Sequence, residues 1–132
     1  MLYAILCYNS ESIVGSWTRE QDAAVMNGHL AIQEKLAKAG KLGPVVRLLP
    51  TTTATTVRSG DVPVVIDGPF AETKEQLLGF YVVDCETLEE VIDIASQLSI
   101  KPGALEIRPL MYFSDKNVPA TTVRPGVHPE AR

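Results

Sequence analysis

The chain has 132 residues, 45% hydrophobic and 21% charged, which is the balance of one ordinary globular domain with enough apolar side chain to bury a core. Sixteen acidic against twelve basic residues leave a formal charge of −4, which argues against the positive field that nonspecific DNA or RNA binding needs. No apolar run approaches bilayer-crossing length, and Met1 to Tyr8 lacks the basic region of a secretory leader, so a cytoplasmic protein with no membrane partner is expected.

Leu2 to Tyr8 is apolar without strict alternation, the pattern of a central strand covered on both faces. Polar residues Asn9 to Ser12 end it. Thr18 and Gln21 form a capping-box pattern that starts a helix from about Arg19 to Ala39, with Gly40 as its stop. Two adjoining apolar rows fit that helix: Val25, Ile32 and Leu36, and Ala23, Met26, Leu30 and Ala37. His29 falls in the first row. Strands are expected at Val45 to Leu49, Thr51 to Arg58, Val62 to Ile66 and Leu77 to Val83, with Ser59-Gly60-Asp61 as a turn. Thr87 and Glu90 resemble a second capping box, opening a helix whose buried face is Leu88, Val91, Ile92, Ala95 and Leu98 and which ends near Ser99. Leu105 to Met111 reads as a closing strand. The folded domain is expected over 1–112, with 113–132 a proline-bearing extended tail.

The element order is β-α-β, an inserted hairpin, then β-α-β. The simple solution is an α+β, ferredoxin-like sheet with both helices on one face. The other face then needs cover, because neither side of the first strand is polar, and a homodimer with sheets facing each other supplies it.

Asp67-Gly-Pro-Phe-Ala-Glu-Thr-Lys-Glu-Gln76, followed by Gly79-Phe-Tyr-Val-Val-Asp84 and Glu106-Ile-Arg-Pro-Leu110, resembles the DGPF-type branch of the YCII-related family. Thr55-Thr-Val-Arg58 fits the same pattern. The resemblance implies a dimeric α+β barrel built from ferredoxin-like subunits. It also suggests a regulatory context, since some relatives stand near or are fused to sigma factors. The wider family carries a His–Asp pair, which would correspond here to His29 and Asp67.

Each of these residues also has a plain structural use. His29 beside a carboxylate can exchange a proton near neutral pH, or it can simply donate to a backbone carbonyl at the edge of a buried stripe. Asp67 can orient that imidazole, or it can accept the N–H groups of its own turn. Gly68 and Pro69 set the corner's geometry, and Phe70 is a packing anchor or a wall against an apolar ligand. Glu72, Lys74 and Glu75 make a charged rim, which on most surfaces means solvation. Arg58 and Arg108 can clamp a carboxylate in a fork, or form internal ion pairs with Asp67 or Glu106. Trp17 and Tyr81 can line an aromatic pocket, with core packing the simpler use. Cys7 and Cys85 lie in strand-like runs without His or Cys companions, so neither zinc nor a disulfide is signalled. His128 belongs to the tail. No nucleophile elbow, phosphate loop or dinucleotide fingerprint is present, and no cofactor is expected.

Two functional classes follow. One is a homodimeric domain that binds a small molecule or a regulatory partner. The other is a cofactor-free enzyme in which His29 moves a proton and Asp67 orients it. In either case Arg58, Phe70, Glu72, Lys74, Tyr81 and Arg108 are candidates to hold a small anionic organic ligand.

Overall fold

The computed structural model describes residues 1–115 and the backbone of 118–122. Its centre is the apolar segment β1 (Leu2–Asn9), flanked on both sides by antiparallel partners. β5 (Gln76–Asp84) pairs along one edge and β6 (Ala104–Pro109) along the other, while β2 (Leu42–Arg47) pairs with the outer edge of β5. The sheet order is therefore β2-β5-β1-β6. Alternation divides the two faces. Tyr3 and Ile5 of β1 stand level with Val83 and Tyr81 of β5, and these four side chains are buried in one core. Leu2, Ala4, Leu6 and Phe80 fall on the opposite face and stay half-exposed.

A short helix, α1 (Glu11–Gly15), leads into the long helix α2 (Arg19–Lys38), and α3 (Leu88–Leu98) joins β5 to β6. The Thr18–Gln21 capping box opens α2 with both reciprocal hydrogen bonds in place. At its other end Gly40, at φ +71°, allows a double cap in which Gly40 N–H reaches Ala37 O and Lys41 N–H reaches Leu36 O. Leu36 of α2 and Val91, Ile94, Ala95 and Leu98 of α3 complete the core above Tyr3, Ile5, Tyr81, Val83 and Cys85.

The insertion after β2 consists of a 3₁₀ turn, Thr51–Thr53, and a separate hairpin of β3 (Thr55–Arg58) and β4 (Val64–Asp67). Glu11 ties its root to α1. The Glu11 carboxylate accepts Thr51 N–H at 2.7 Å and the Thr51 hydroxyl at 2.5 Å, while Glu11 N–H donates to Gln76 Oε1 at 2.9 Å. Beyond β6, β7 (Tyr112–Asp115) pairs with β8 (Val118–Thr122). That pairing begins where the apolar pattern faded in the sequence; 123–132, with His128, lie outside the described residues.

The α+β class and the β-α-β, hairpin, β-α-β order are those expected, but the barrel is not formed. The four-stranded sheet is open: β2 and β6 lie at opposite edges, and each hairpin pairs only with itself. Closure needs pairing between the edge strands, and the described strands make none. Other departures are local. Leu30 and Ile92 are 52% and 48% exposed rather than buried, because the core-facing stripe of α2 centres on Leu36, and that of α3 on Val91 and Ile94. Thr51–Thr53 turns instead of extending the strand. Phe70, expected as a packing anchor, is 74% exposed.

Gly68 and Gly79 are among the glycines that the geometry requires. Gly68 sits at φ +105°, a backbone region that side chains resist, and it turns the chain after β4 while its N–H bonds to Ala54 O at 2.7 Å. Gly79 faces a neighbouring backbone so closely that a Cβ there would lie 2.1 Å from the Val46 carbonyl oxygen. Gly79→Ala should therefore destabilise the fold by about 1–3 kcal/mol, the cost of overpacking, because β2 must shift to admit the methyl group. Urea unfolding checks this; a midpoint equal to that of the parent chain would show that the contact is softer than the geometry implies.

Candidate functional site

Rows of side chains cross the helix-facing side of the sheet in register. One row runs Ile107, Ile5, Tyr81, Val45, and the next runs Leu105, Cys7, Gly79, Arg47. The second row carries a thiol and a hydrogen where the first carries an isoleucine and a tyrosine. Less volume rises from the sheet there, and α2 spans a cavity of about 110 Å³. Trp17 and Val14 from the α1 region, Val25 and Met26 from α2, and Leu98 and Ile100 at the end of α3 supply the apolar walls.

The polar groups come from two faces. His29 and Gln33, one helical turn apart on α2, share the side of the helix that meets the cavity. Tyr81 rises from β5 beneath them. The two rings meet edge to face, with centroids 6.1 Å apart, and Gln33 Nε2 donates to the Tyr81 hydroxyl at 3.0 Å. His29 Nε2 lies 3.3 Å from Leu98 O. A carbonyl oxygen only accepts, so Nε2 carries the proton and Nδ1 keeps its lone pair. This bond also links α2 to the end of α3.

These groups are neutral near pH 7. Burial lowers the His29 pKa below its ordinary value, a shift that the Leu98 carbonyl opposes in part. Burial pushes the Cys7 thiol up to about 11 and raises the Tyr81 phenol, with the Gln33 hydrogen bond acting the other way on Tyr81. At the cavity wall Arg47 is already paired: its Nη2 lies 2.7 Å from Asp22 Oδ1, and Nη1 lies 3.4 Å from Oδ2. The Arg47 hydrogen bond in turn holds the Asp22 pKa below the usual carboxylate value.

Of the residues singled out in the sequence, His29 and Tyr81 meet in this cavity together with Trp17. Cys7 lines it as well, and the remaining candidate ligand and acidic residues lie elsewhere. Asp67 pairs with Thr55 and Arg58 with Val64 in the β3–β4 hairpin, where both are exposed. Phe70, Glu72 and Lys74 are exposed on the corner that follows. Arg108, level with Ala4, stands on the sheet face away from the helices. Neither Arg58 nor Arg108 is in any of the ion pairs found among the described residues. Gln33, Arg47 and Asp22 were not foreseen. Helical spacing from His29 could have pointed to Gln33, whereas Arg47 beside Asp22 depends on how β2 meets α2.

An open antiparallel sheet carrying both long helices on one side, with a histidine-lined pocket between the layers, defines a small α+β domain. The chain belongs to the YCII-related family, whose domain matches residues 1–114. It is similar to an uncharacterised protein of Rhizobium meliloti (strain 1021), with 52% identity over 124 residues that span 91% of this chain and 100% of that protein.

The lowered His29 pKa has a consequence for stability. The unfolded chain takes up a proton near the unperturbed value of 6.5, while the folded chain resists until the pH is lower. His29 thus contributes its full stability above 6.5 and loses it as the pH falls through the folded-state value. Urea unfolding from about pH 7.5 down to about pH 5 should show the parent chain losing more stability than His29→Gln. Parallel pH profiles for the two would contradict the assignment.

Proposed function

We propose that this YCII-related domain, of the DGPF-type branch by its Asp67 to Gln76 corner, binds a small organic molecule in the cavity between α2 and the sheet. The observation that carries the reading is the convergence of His29, Gln33 and Tyr81 on an apolar cavity of about 110 Å³. That size is of the order of cavities that take a single aromatic ring. Ligand sites combine such apolar walls with a few orienting polar groups.

The binding unit in this reading is a homodimer. The half-exposed Leu2, Leu6 and Phe80 on the helix-free sheet face, and the exposed Val57, Val64, Val65 and Phe70 on and beside the hairpin, are the apolar side chains that a second copy would cover. A proton-transfer enzyme is the second reading, and what favours it is the neutral imidazole of His29 in the cavity. The hydrogen-bond partner of His29 is a carbonyl rather than a carboxylate, and for that reason we rank binding first.

Toluene, p-cresol and p-toluate make a one-ring panel for the test. At least one should shift the NMR resonances of Met26, His29 and Leu105, and sedimentation should give a dimer. Silence of all three compounds at millimolar concentration would refute the pocket reading, and a monomer at micromolar concentration would refute the dimer.

A further inference from the structure

We propose that the cavity selects an uncharged one-ring ligand carrying a hydroxyl group, a phenol or its saturated alcohol counterpart, held between His29 Nδ1 and the Tyr81 hydroxyl. This inference rests on the pocket reading above and adds the chemistry of the ligand's polar end.

The hydrogen-bond inventory supplies the argument. His29 Nε2 is used on Leu98 O, which leaves Nδ1 as an acceptor without a partner among the described residues. No buried side-chain nitrogen or oxygen lacks a partner among those residues, so Nδ1 is accessible rather than sealed in the core. The Tyr81 oxygen accepts from Gln33, and its O–H proton is left to donate. The two rings are in edge-to-face contact and both line one cavity, which therefore offers an acceptor and a donor from two neighbouring residues. A hydroxyl group is the smallest function that answers both, donating to Nδ1 and accepting from Tyr81.

Charge argues in the same direction. Cys7, His29, Gln33 and Tyr81 are neutral groups at pH 7, and the Arg47 guanidinium is already satisfied by Asp22. A carboxylate entering the cavity would lose its water without gaining a free cation, which is costly. An unsubstituted hydrocarbon fits the walls but leaves the water-accessible Nδ1 and the tyrosine proton unanswered once it displaces solvent.

The comparison of p-cresol, toluene and p-toluate tests this on the full chain, because the three share a ring and a methyl group and differ in the fourth substituent. Binding is read from Trp17 fluorescence and His29 NMR shifts. p-Cresol should bind about threefold to tenfold more tightly than toluene, the range of one net hydrogen bond, and p-toluate should bind more weakly than p-cresol. In Tyr81→Phe the preference for p-cresol over toluene should shrink, because only the bond to His29 Nδ1 remains, while toluene binding persists. Equal affinity for p-cresol and toluene, or tighter binding of p-toluate, in the unmodified chain would overturn the hydroxyl selection and leave the pocket reading standing. Failure of all three to bind would overturn both.

Discussion

The hydrogen bond from His29 to Leu98 O determines what the cavity is. It joins the long helix to the end of α3, and it decides which imidazole nitrogen holds the proton. With Nε2 committed to a carbonyl, the remaining nitrogen is an acceptor, and burial keeps the ring uncharged. The rest of the site is arranged around that ring. Gln33, one turn along the helix, fixes the Tyr81 hydroxyl, and Tyr81 supports the imidazole from below. The space itself arises because Cys7 and Gly79 occupy neighbouring places in one row of the sheet.

The cavity and the β3–β4 hairpin are distinct regions of the molecule. The cavity lies between helices and sheet, whereas the β3–β4 hairpin leaves Val57, Val64 and Val65 exposed and the helix-free sheet face leaves Leu2, Leu6 and Phe80 half-exposed. Glu11 bridges the two regions. Its carboxylate holds the hairpin root at Thr51, its backbone N–H holds Gln76, and the helix it starts leads to Val14 and Trp17 at the cavity wall. The hairpin root is therefore tied to the same short helix that borders the cavity.

Much of the fold was legible because it rests on local rules. The Thr18–Gln21 box, the Gly40 stop and the alternation of buried strands each follow from neighbours in sequence, and they set the element order. The exposed sides of Leu30 and Ile92 were not legible, since apolar spacing alone does not say where a stripe on a helix centres when the layer below is narrower. The barrel came from resemblance rather than from residues, and the open edges at β2 and β6 correct it. At the site, His29 was legible from its helical position. The corner from Asp67 drew attention by its composition, but its acidic and basic side chains are exposed on the hairpin and the loop beyond, and the sheet register that sets Gly79 beside Cys7 has no signature in the chain.

The protonation of the His29 ring is the most direct point of attack. Imidazole ¹⁵N NMR on the full chain at pH 7 should show Nε2 protonated and Nδ1 bare, with Nδ1 shifting when p-cresol is added. A ring protonated at Nδ1, or on both nitrogens, would contradict the site described here, because the acceptor on which ligand selection depends would not exist.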